Sequence, residues 1–425
     1  MKHAIIIGNG ITGVSAAREL RRLKPDWRIT MISGESTYHY SRPALMYIFM
    51  GHMTYHDTKP YPDSLWQRER IELLRDWVVG IDAEHKTLAL HQHGTLAFDT
   101  LLIATGSKSN RFDWPGQDLP GVQGLYDLMD LKQLYENIEH GRNAVIVGGG
   151  LIGIELGEML HSRGIRVTFL VREKSYWNNI LPAEESAMVN RIIRQEGFDL
   201  RLESEMAQIN AGSNGRAESV TTRSGETIPA DIVGLTAGVS PNIDLVRETD
   251  IQHGRGVIVN ATLQTSHPEI FAAGDCAEIE MPGSERNLLQ QVWYTGKMQG
   301  VVAARNMAGE NVNYDPGIWY NSAKFLDLEY QTYGSVPAND AVTDHLYWEH
   351  DDGLRSLRLV HDNGIVAGVN VMGMRVRHRV CDRWIAKNRT VEYALDHLED
   401  AMFDAEFSAS FEDEIRQTLS RSVPA

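Results

Sequence analysis

Two stretches of this chain follow one plan, and the plan admits few folds. Ala4 to Gly13 reads AIIIGNGITG, and Ala144 to Gly157 reads AVIVGGGLIGIELG. In each, a short β-branched apolar run leads into glycines at GxGxxG spacing and then into a segment with helical spacing. This is strand, tight turn, helix. Gly8 and Gly148 suit the backbone angles of the turn, Gly10 and Gly150 let the main chain approach a pyrophosphate, and Gly13 and Gly153 let helix pack close to strand. The pyrophosphate would rest on unpaired N–H groups at the helix N-terminus, where the helix dipole also favours negative charge. One such motif is a weak signal; two in the same context point to an α/β chain that binds two dinucleotides.

The 425 residues exceed one ordinary domain, so two or three are expected. The apolar (42%) and charged (23%) fractions are those of a soluble globular protein. No apolar run approaches membrane-spanning length, and Met1-Lys2-His3 leads straight into a strand rather than a signal peptide, so a cytoplasmic protein is expected. The net charge of −16 argues against nucleic acid as a general partner. Cys276 and Cys381 are too few and too separate for a CxxC or a disulfide framework.

Along the chain, helical spacing covers Val14 to Leu23, and Arg28 to Ile32 reads as the next strand. Glu35 follows at about the distance past the glycines where an acidic residue holds a ribose hydroxyl. Strands are expected over Leu74 to Asp82, Thr87 to His91 and Ala97 to Thr105. Phe112 to Pro120 and Ala237 to Asn242, rich in proline and glycine, read as crossings between domains. After the second glycine turn come a helix from Ile154 to Ser162 and a strand from Val167 to Val171. Arg172-Glu173-Lys174 then offers both an Arg suited to a 2′-phosphate and an acid suited to a free 2′-hydroxyl, leaving NADPH and NADH both open. A helical run is expected from about Leu288 to Met307. From Tyr314 the texture changes to aromatic, strand-like pieces with Gly and Asn turns, which suggests an antiparallel sheet, followed by an acidic helical segment from Val391 to Arg421. If Met374 to Val380 is a strand, Arg375, Arg377 and Arg379 share one face and make a basic patch able to dock an acidic partner. His91-x-His93 and the pair His345 and His350 lack further ligands at metal-binding spacing, so no metal is expected.

These motifs together resemble the two-dinucleotide-binding flavoproteins, the FAD-linked pyridine-nucleotide oxidoreductases, over nearly the whole chain. Gly8, Gly10 and Gly13 with Glu35 look like that family's FAD fingerprint. LLIATG (Leu101 to Gly106, with Ala104, Thr105 and Gly106) looks like its middle motif, and TSHPEIFAAGD (Thr265 to Asp275, with Gly274) looks like its late FAD motif, whose Asp contacts the flavin side. Gly148, Gly150 and Gly153 match its NAD(P) fingerprint. Tyr40-Ser41-Arg42-Pro43, the run Val292 to Gly309 and Asn321 to Phe325 resemble the branch of rubredoxin and ferredoxin reductases, the reductase part of nitrite reductase large subunits, and apoptosis-inducing factor. The resemblance implies an α/β chain with two Rossmann-like domains and a C-terminal α+β interface domain. FAD is then expected on 1–112 and 240–315, NAD(P) on 113–239, and the interface domain at 316–425. The candidate cofactor-binding set also includes Arg42, Pro43, Val79, Ile152, Arg172, Gly238 and Trp293, the last with Tyr294 against the flavin edge.

The departures matter as much. Disulfide-reducing members carry CxxxxC in the early FAD helix, and others carry one Cys there; this chain has none between Tyr40 and Gly51. Electrons are therefore expected to leave the flavin directly. Electron-transfer members commonly have a Lys shortly after RPxL paired with the Glu of the second glycine motif. Glu155 is present, but Tyr47 stands at the Lys position. Glu155 is expected to line the nicotinamide site, and Lys108 to place positive charge near the flavin. The expected activity is NAD(P)H oxidation through FAD with electron transfer to a rubredoxin-like or ferredoxin-like protein or a partner subunit, by a monomer or homodimer. An oxidase or quinone reductase, and a redox-sensing flavoprotein of the apoptosis-inducing-factor type, are the competing readings.

Overall fold

The computed structural model of the chain describes residues 1–284, 286–339, 343–403 and 409–420. Residues 404–408 and Arg421, within the expected acidic helical segment, lie outside the described residues. The chain divides into two compact units, Met1–Asn110 with Tyr126–Tyr135 and Val239–Pro316, and Arg111–Leu125 with Glu136–Gly238 and Gly317–Ala425. The second unit therefore takes in both the middle of the chain and its C-terminal quarter.

In the first unit a five-stranded parallel sheet runs in the order Ile270–Ala272, Thr100–Ile103, His3–Ile7, Arg28–Ile32, Ile71–Leu74. The chain leaves His3–Ile7 to one side and later returns on the other, so a crevice opens at the carboxyl end of this strand. The helix Ile11–Leu23 buries Val14, Ala16, Ala17 and Leu20 and ends just before Pro25. Its other neighbour is the helix Trp293–Met307. A Cβ on Gly300 would lie 2.3 Å from the Thr12 carbonyl oxygen, so the two helix backbones touch.

Several expected boundaries move. The strand expected over Leu74 to Asp82 is two strands, Ile71–Leu74 and Val78–Asp82. Between them the buried Asp76 carboxylate accepts from the Trp77, Gln92 and His93 backbone N–H groups at 2.8, 3.0 and 3.0 Å, which turns the chain. The strand expected over Ala97 to Thr105 also splits: Gly94–Ala97 pairs with Thr87–Leu90, and Thr100–Ile103 joins the parallel sheet. The helix expected from Leu288 begins at Trp293, because Leu288 is held in a bridge to Ile279.

The second unit repeats the arrangement, with parallel strands in the order Asp199–Arg201, Arg166–Leu170, Asn143–Val147, Ile232–Leu235, Val122–Gln123 and a helix Leu151–Ser162 after the glycines. It continues into an antiparallel sheet ordered Tyr320–Phe325, Leu328–Gly334, Ile365–Met372, Ser356–Asp362, Asp344–Glu349, against which His378–Ala386 and Val391–Asp396 pack. Met374 to Val380 is not a strand. Gly373, at φ +64°, ends the preceding strand, Val376 makes only an isolated bridge to Met402, and a helix starts at His378. Arg375 instead pairs with Glu329 at 2.6 Å, Arg377 donates to the Asp400 carbonyl at 3.2 Å, and Arg379 lies on the helix, so the three arginines share no strand face.

A buried ion cluster ties this sheet to the helix Ala183–Gln195. Arg358, 1% exposed, donates to Glu185 at 2.8 and 3.0 Å and to Glu184 at 2.7 Å; Asn370 donates to Glu185 at 3.1 Å, and the Tyr347 ring lies 4.6 Å from the guanidinium. Removing one partner would strand a buried charge. Arg358→Ala is expected to cost about 3–5 kcal/mol in urea unfolding, whereas Arg201→Ala, which breaks only exposed pairs with Asp199 and Glu226, should cost less than about 1 kcal/mol.

Candidate cofactor sites

The first glycine turn is built by exclusion of side chains. At Gly8, φ is +109° and a Cβ would lie 2.1 Å from the Ala104 carbonyl oxygen; at Gly13 it would lie 2.0 Å from the Gly8 carbonyl oxygen. At Gly10 a Cβ would meet nothing within 4 Å. Gly10 is the N-cap of its helix, no side chain caps it, and no acid stands in the first turn. The first helical bond to this cap runs from Val14 N, which leaves the Ile11, Thr12 and Gly13 N–H groups at the open end. Such a terminus fits a pyrophosphate.

Around it the first unit gathers the other predicted residues. Gly274, at φ +80°, lies against Thr12, and its N–H donates to Gln299 at 2.7 Å. Asp275 accepts from Ser107 Oγ at 3.1 Å, Ser107 Oγ accepts from Gln291 at 2.7 Å, and the Tyr126 hydroxyl oxygen accepts from Ser107 N at 2.8 Å. Burial pushes the Asp275 carboxyl upward, while burial and then the Asp275 charge push the Tyr126 hydroxyl up to about 12. Thr105 Oγ donates to the Asn242 carbonyl at 2.7 Å, and the Gly106 carbonyl accepts from Asn242 N at 2.8 Å. Glu35 is already engaged: it accepts from the Tyr40 hydroxyl, from Arg42 at 2.9 Å and from Leu128 N at 3.2 Å. Of about four lone-pair sites on a carboxylate, about one remains for a ribose hydroxyl. Pro43 is the second residue of the short turn Arg42–Ala44.

Four other predicted residues of this unit, Lys108, Val79, Tyr47 and Trp293, are exposed. Lys108 is one. It sits on Ser107–Ser109, paired with Val239–Pro241, where side chains alternate; Ser107 is buried, and Lys108 is exposed and ion-paired to Asp244 at 2.6 Å. Its charge is thus answered at the surface, on the opposite side from Ser107. Val79 is exposed at a bulge of its strand, Tyr47 is exposed with its ring 6.4 Å from His52, and Trp293 opens its helix half-exposed under Lys297, while Tyr294 is buried.

The second turn repeats the exclusion. A Cβ on Gly148, at φ +122°, would lie 2.7 Å from the Thr236 carbonyl oxygen, and one on Gly153 would lie 2.9 Å from Thr236 Oγ and 3.0 Å from the Tyr176 hydroxyl. Gly150 is again an uncapped N-cap open to space, with no acid in the first turn. Ile152 lies in that turn, and Gly238, at φ +86°, follows Thr236. Arg172 is exposed and paired with Glu173 at 2.9 Å. Glu155 is half-buried on the same helix.

Sequence reasoning missed Ser107, Tyr126, Gln291, Thr236 and Tyr176 as site residues. Ser107 directly follows LLIATG and Thr236 directly precedes the Ala237 to Asn242 crossing, so a local signal existed. Tyr126 reaches Arg42 and Ser107 from far along the chain, and no local pattern marks it. Among the described residues no group of three potential ligands could hold a metal, and no helix is long and apolar enough to cross a membrane. Both cysteines are buried; burial pushes the Cys381 thiol up to about 12 and raises Cys276, which lies 3.4 Å from the Ile103 and Ala273 carbonyl oxygens.

Residues 2–308 match the family described as pyridine nucleotide-disulphide oxidoreductase. The biphenyl dioxygenase system ferredoxin–NAD(+) reductase component of Paraburkholderia xenovorans is 31% identical over 315 residues, 72% of this chain and 75% of that protein. The assimilatory nitrate reductase electron transfer subunit of Bacillus subtilis is 26% identical over 394 residues, 92% of this chain and 50% of that protein, so the chain spans about half the length of this relative. A ferredoxin reductase of Rhodopseudomonas palustris superposes with a TM-score of 0.80 at 24% identity, over 88% of this chain and 91% of that one, a likeness of fold.

Burial, and then the Glu158 charge, push the Glu155 carboxyl from 4.5 up to about 7. An acid raised in the folded state binds its proton more tightly there, so stability falls as pH rises through that window. Glu155→Gln should therefore leave the melting temperature unchanged below about pH 4.5 and raise it by about 2–4 °C near pH 8. An equal shift at both pH values in thermal unfolding would contradict the assignment.

Proposed function

Because the chain belongs to the pyridine nucleotide-disulphide oxidoreductase family, we propose that it is an FAD-dependent NAD(P)H oxidoreductase whose electrons pass directly to a separate acceptor. The acceptor is a small iron-sulfur protein of ferredoxin or rubredoxin type, or a partner subunit. One observation carries this reading: a single chain holds two uncapped, glycine-opened helix N-termini, at Gly10 and Gly150, while both of its cysteines are buried. Only an ionised, reachable thiol relays electrons, so a cysteine relay is disfavoured. The names of the Paraburkholderia and Bacillus relatives, a ferredoxin reductase component and an electron transfer subunit, support the class of acceptor.

In this reading residues 1–112 and 240–315 hold FAD, 113–239 hold the pyridine nucleotide, and 316–425 form the interface domain. Bound FAD supplies the exchange between two-electron and one-electron chemistry that no side chain offers. The chain's own residues orient and tune. The Ile11, Thr12 and Gly13 N–H groups take the FAD pyrophosphate, and Asp275, steadied by Ser107, takes hydroxyls on the flavin side. The N–H groups after Gly150 take the second pyrophosphate. Glu155, with its proton poised near neutrality, lines the nicotinamide side, and Arg172 with Glu173 decides between NADPH and NADH.

The test is anaerobic stopped-flow of the yellow holoprotein with NADH and then NADPH, followed by ferredoxin, rubredoxin or air. Rapid bleaching by one nucleotide and rapid reoxidation by an iron-sulfur protein, but slow reoxidation by air, is the expected result. Absence of bleaching by either nucleotide would remove the reductase reading, and fast turnover with air alone would turn it into an oxidase.

A further inference from the structure

Behind the second glycine loop lies a segment that the cofactor contacts do not account for. Trp177 has φ +57°, a left-handed backbone rarely adopted by a bulky side chain and kept only where the surroundings impose it. The surroundings are in the C-terminal sheet: the Trp177 ring packs edge-on against Phe325 at 5.3 Å and Tyr330 at 5.7 Å, both buried. The residue before it, Tyr176, is fully buried. Its N–H donates to Asn190 at 3.0 Å, its carbonyl accepts from Ser186 at 2.6 Å, and its ring meets Phe169 edge-on at 5.8 Å. Asn190 and Ser186 belong to the helix that Arg358 ties to the same sheet.

The Tyr176 hydroxyl donates to the Gly150 carbonyl at 2.9 Å, which also accepts Ile154 N at 3.2 Å. A trans peptide is planar, with its C=O and N–H opposed. Anchoring the Gly150 carbonyl therefore aims the Leu151 N–H the other way, outward from the start of the helix Leu151–Ser162. Burial, and then the Glu155 charge, push the hydroxyl upward from its ordinary range, so it remains a donor at every working pH. The first glycine loop is backed differently, by Gly296 and Gly300 of a helix lying on Thr12.

We propose that Tyr176 and Trp177 are positioning residues for the pyridine dinucleotide, and that through them the C-terminal sheet forms part of that site. Trp177 is keyed into Phe325 and Tyr330, and Tyr176 passes the fixed placement to the peptide whose N–H meets the pyrophosphate. The inference rests on the reading that the second loop binds NAD(P)H.

The experiment uses the holoprotein and its variants Tyr176→Phe, Trp177→Ala and Trp177→Phe. Dissociation constants for NAD+, NADP+ and ADP-ribose are measured by calorimetry, with flavin content and the KM and kcat for NAD(P)H with ferricyanide. Tyr176→Phe is expected to weaken binding roughly tenfold, the size of one lost hydrogen bond. ADP-ribose should weaken alike, because it carries the pyrophosphate without the nicotinamide. KM should rise with kcat within about twofold and flavin content unchanged. Trp177→Ala should act in the same direction, and Trp177→Phe should recover binding to within about threefold. Dissociation constants within about twofold of wild type in Tyr176→Phe, or a Trp177→Ala loss that Phe does not recover, would overturn the inference. Should Trp177→Ala fail to fold, Tyr176→Phe decides alone. Wild-type protein that binds none of the three ligands would instead overturn the proposed function.

Discussion

At each glycine turn a helix begins with its first N–H groups unspent, and much of the surrounding structure serves to keep them so. The cost of leaving backbone donors unpaired is real, since buried polar groups without partners destabilise a fold. Both helices accept it in the same way, with glycine rather than Ser, Thr, Asp or Asn at the N-cap and with no acid in the first turn. A capping side chain would have stabilised each helix and closed each site. The glycines that flank the caps have the opposite character: at Gly8, Gly13, Gly148 and Gly153 a Cβ would collide with backbone or a hydroxyl. Openness at one position thus depends on tight packing at its neighbours.

The two loops share a motif but differ in what stands behind them. The first is pressed by a helix whose glycines lie on Thr12; the second is held by a phenol and, one residue on, by an indole in a left-handed backbone. The charged groups are also handled differently. Glu35 and Arg42 neutralise each other beside Tyr40 and Tyr126, whereas the Glu155 carboxyl is pushed upward by burial and by Glu158. Chemistry that requires a proton near neutrality therefore has a natural seat on the second helix.

The parts of this molecule legible in the sequence are those whose cause is local. The duplicated strand, turn and helix were visible because glycine spacing and β-branched runs are local physics, and the antiparallel C-terminal sheet was visible in its aromatic texture. The side a residue faces was less legible, because it depends on strand limits that a distant partner sets. Ser107–Ser109 is a strand only because Val239–Pro241 pairs with it, and Met374 to Val380 fails to be one because a helix begins at His378. Tyr126 meets Arg42, and Trp177 meets Phe325 and Tyr330, across long separations in the chain, and no short window contains those pairs.

The contact between Thr12 and Gly300 bears on how the chain is made. The first helix can be shielded only after the polypeptide has grown to the helix Trp293–Met307, and the innermost parallel sheet of the first unit also waits for Ile270–Ala272. On the ribosome the segment that carries the second glycine turn is released while the first is still unfinished, so the amino-terminal strands emerge earliest and become enclosed late. Until then the face of the helix Ile11–Leu23 that Gly300 later covers stays open to solvent and to other nascent chains.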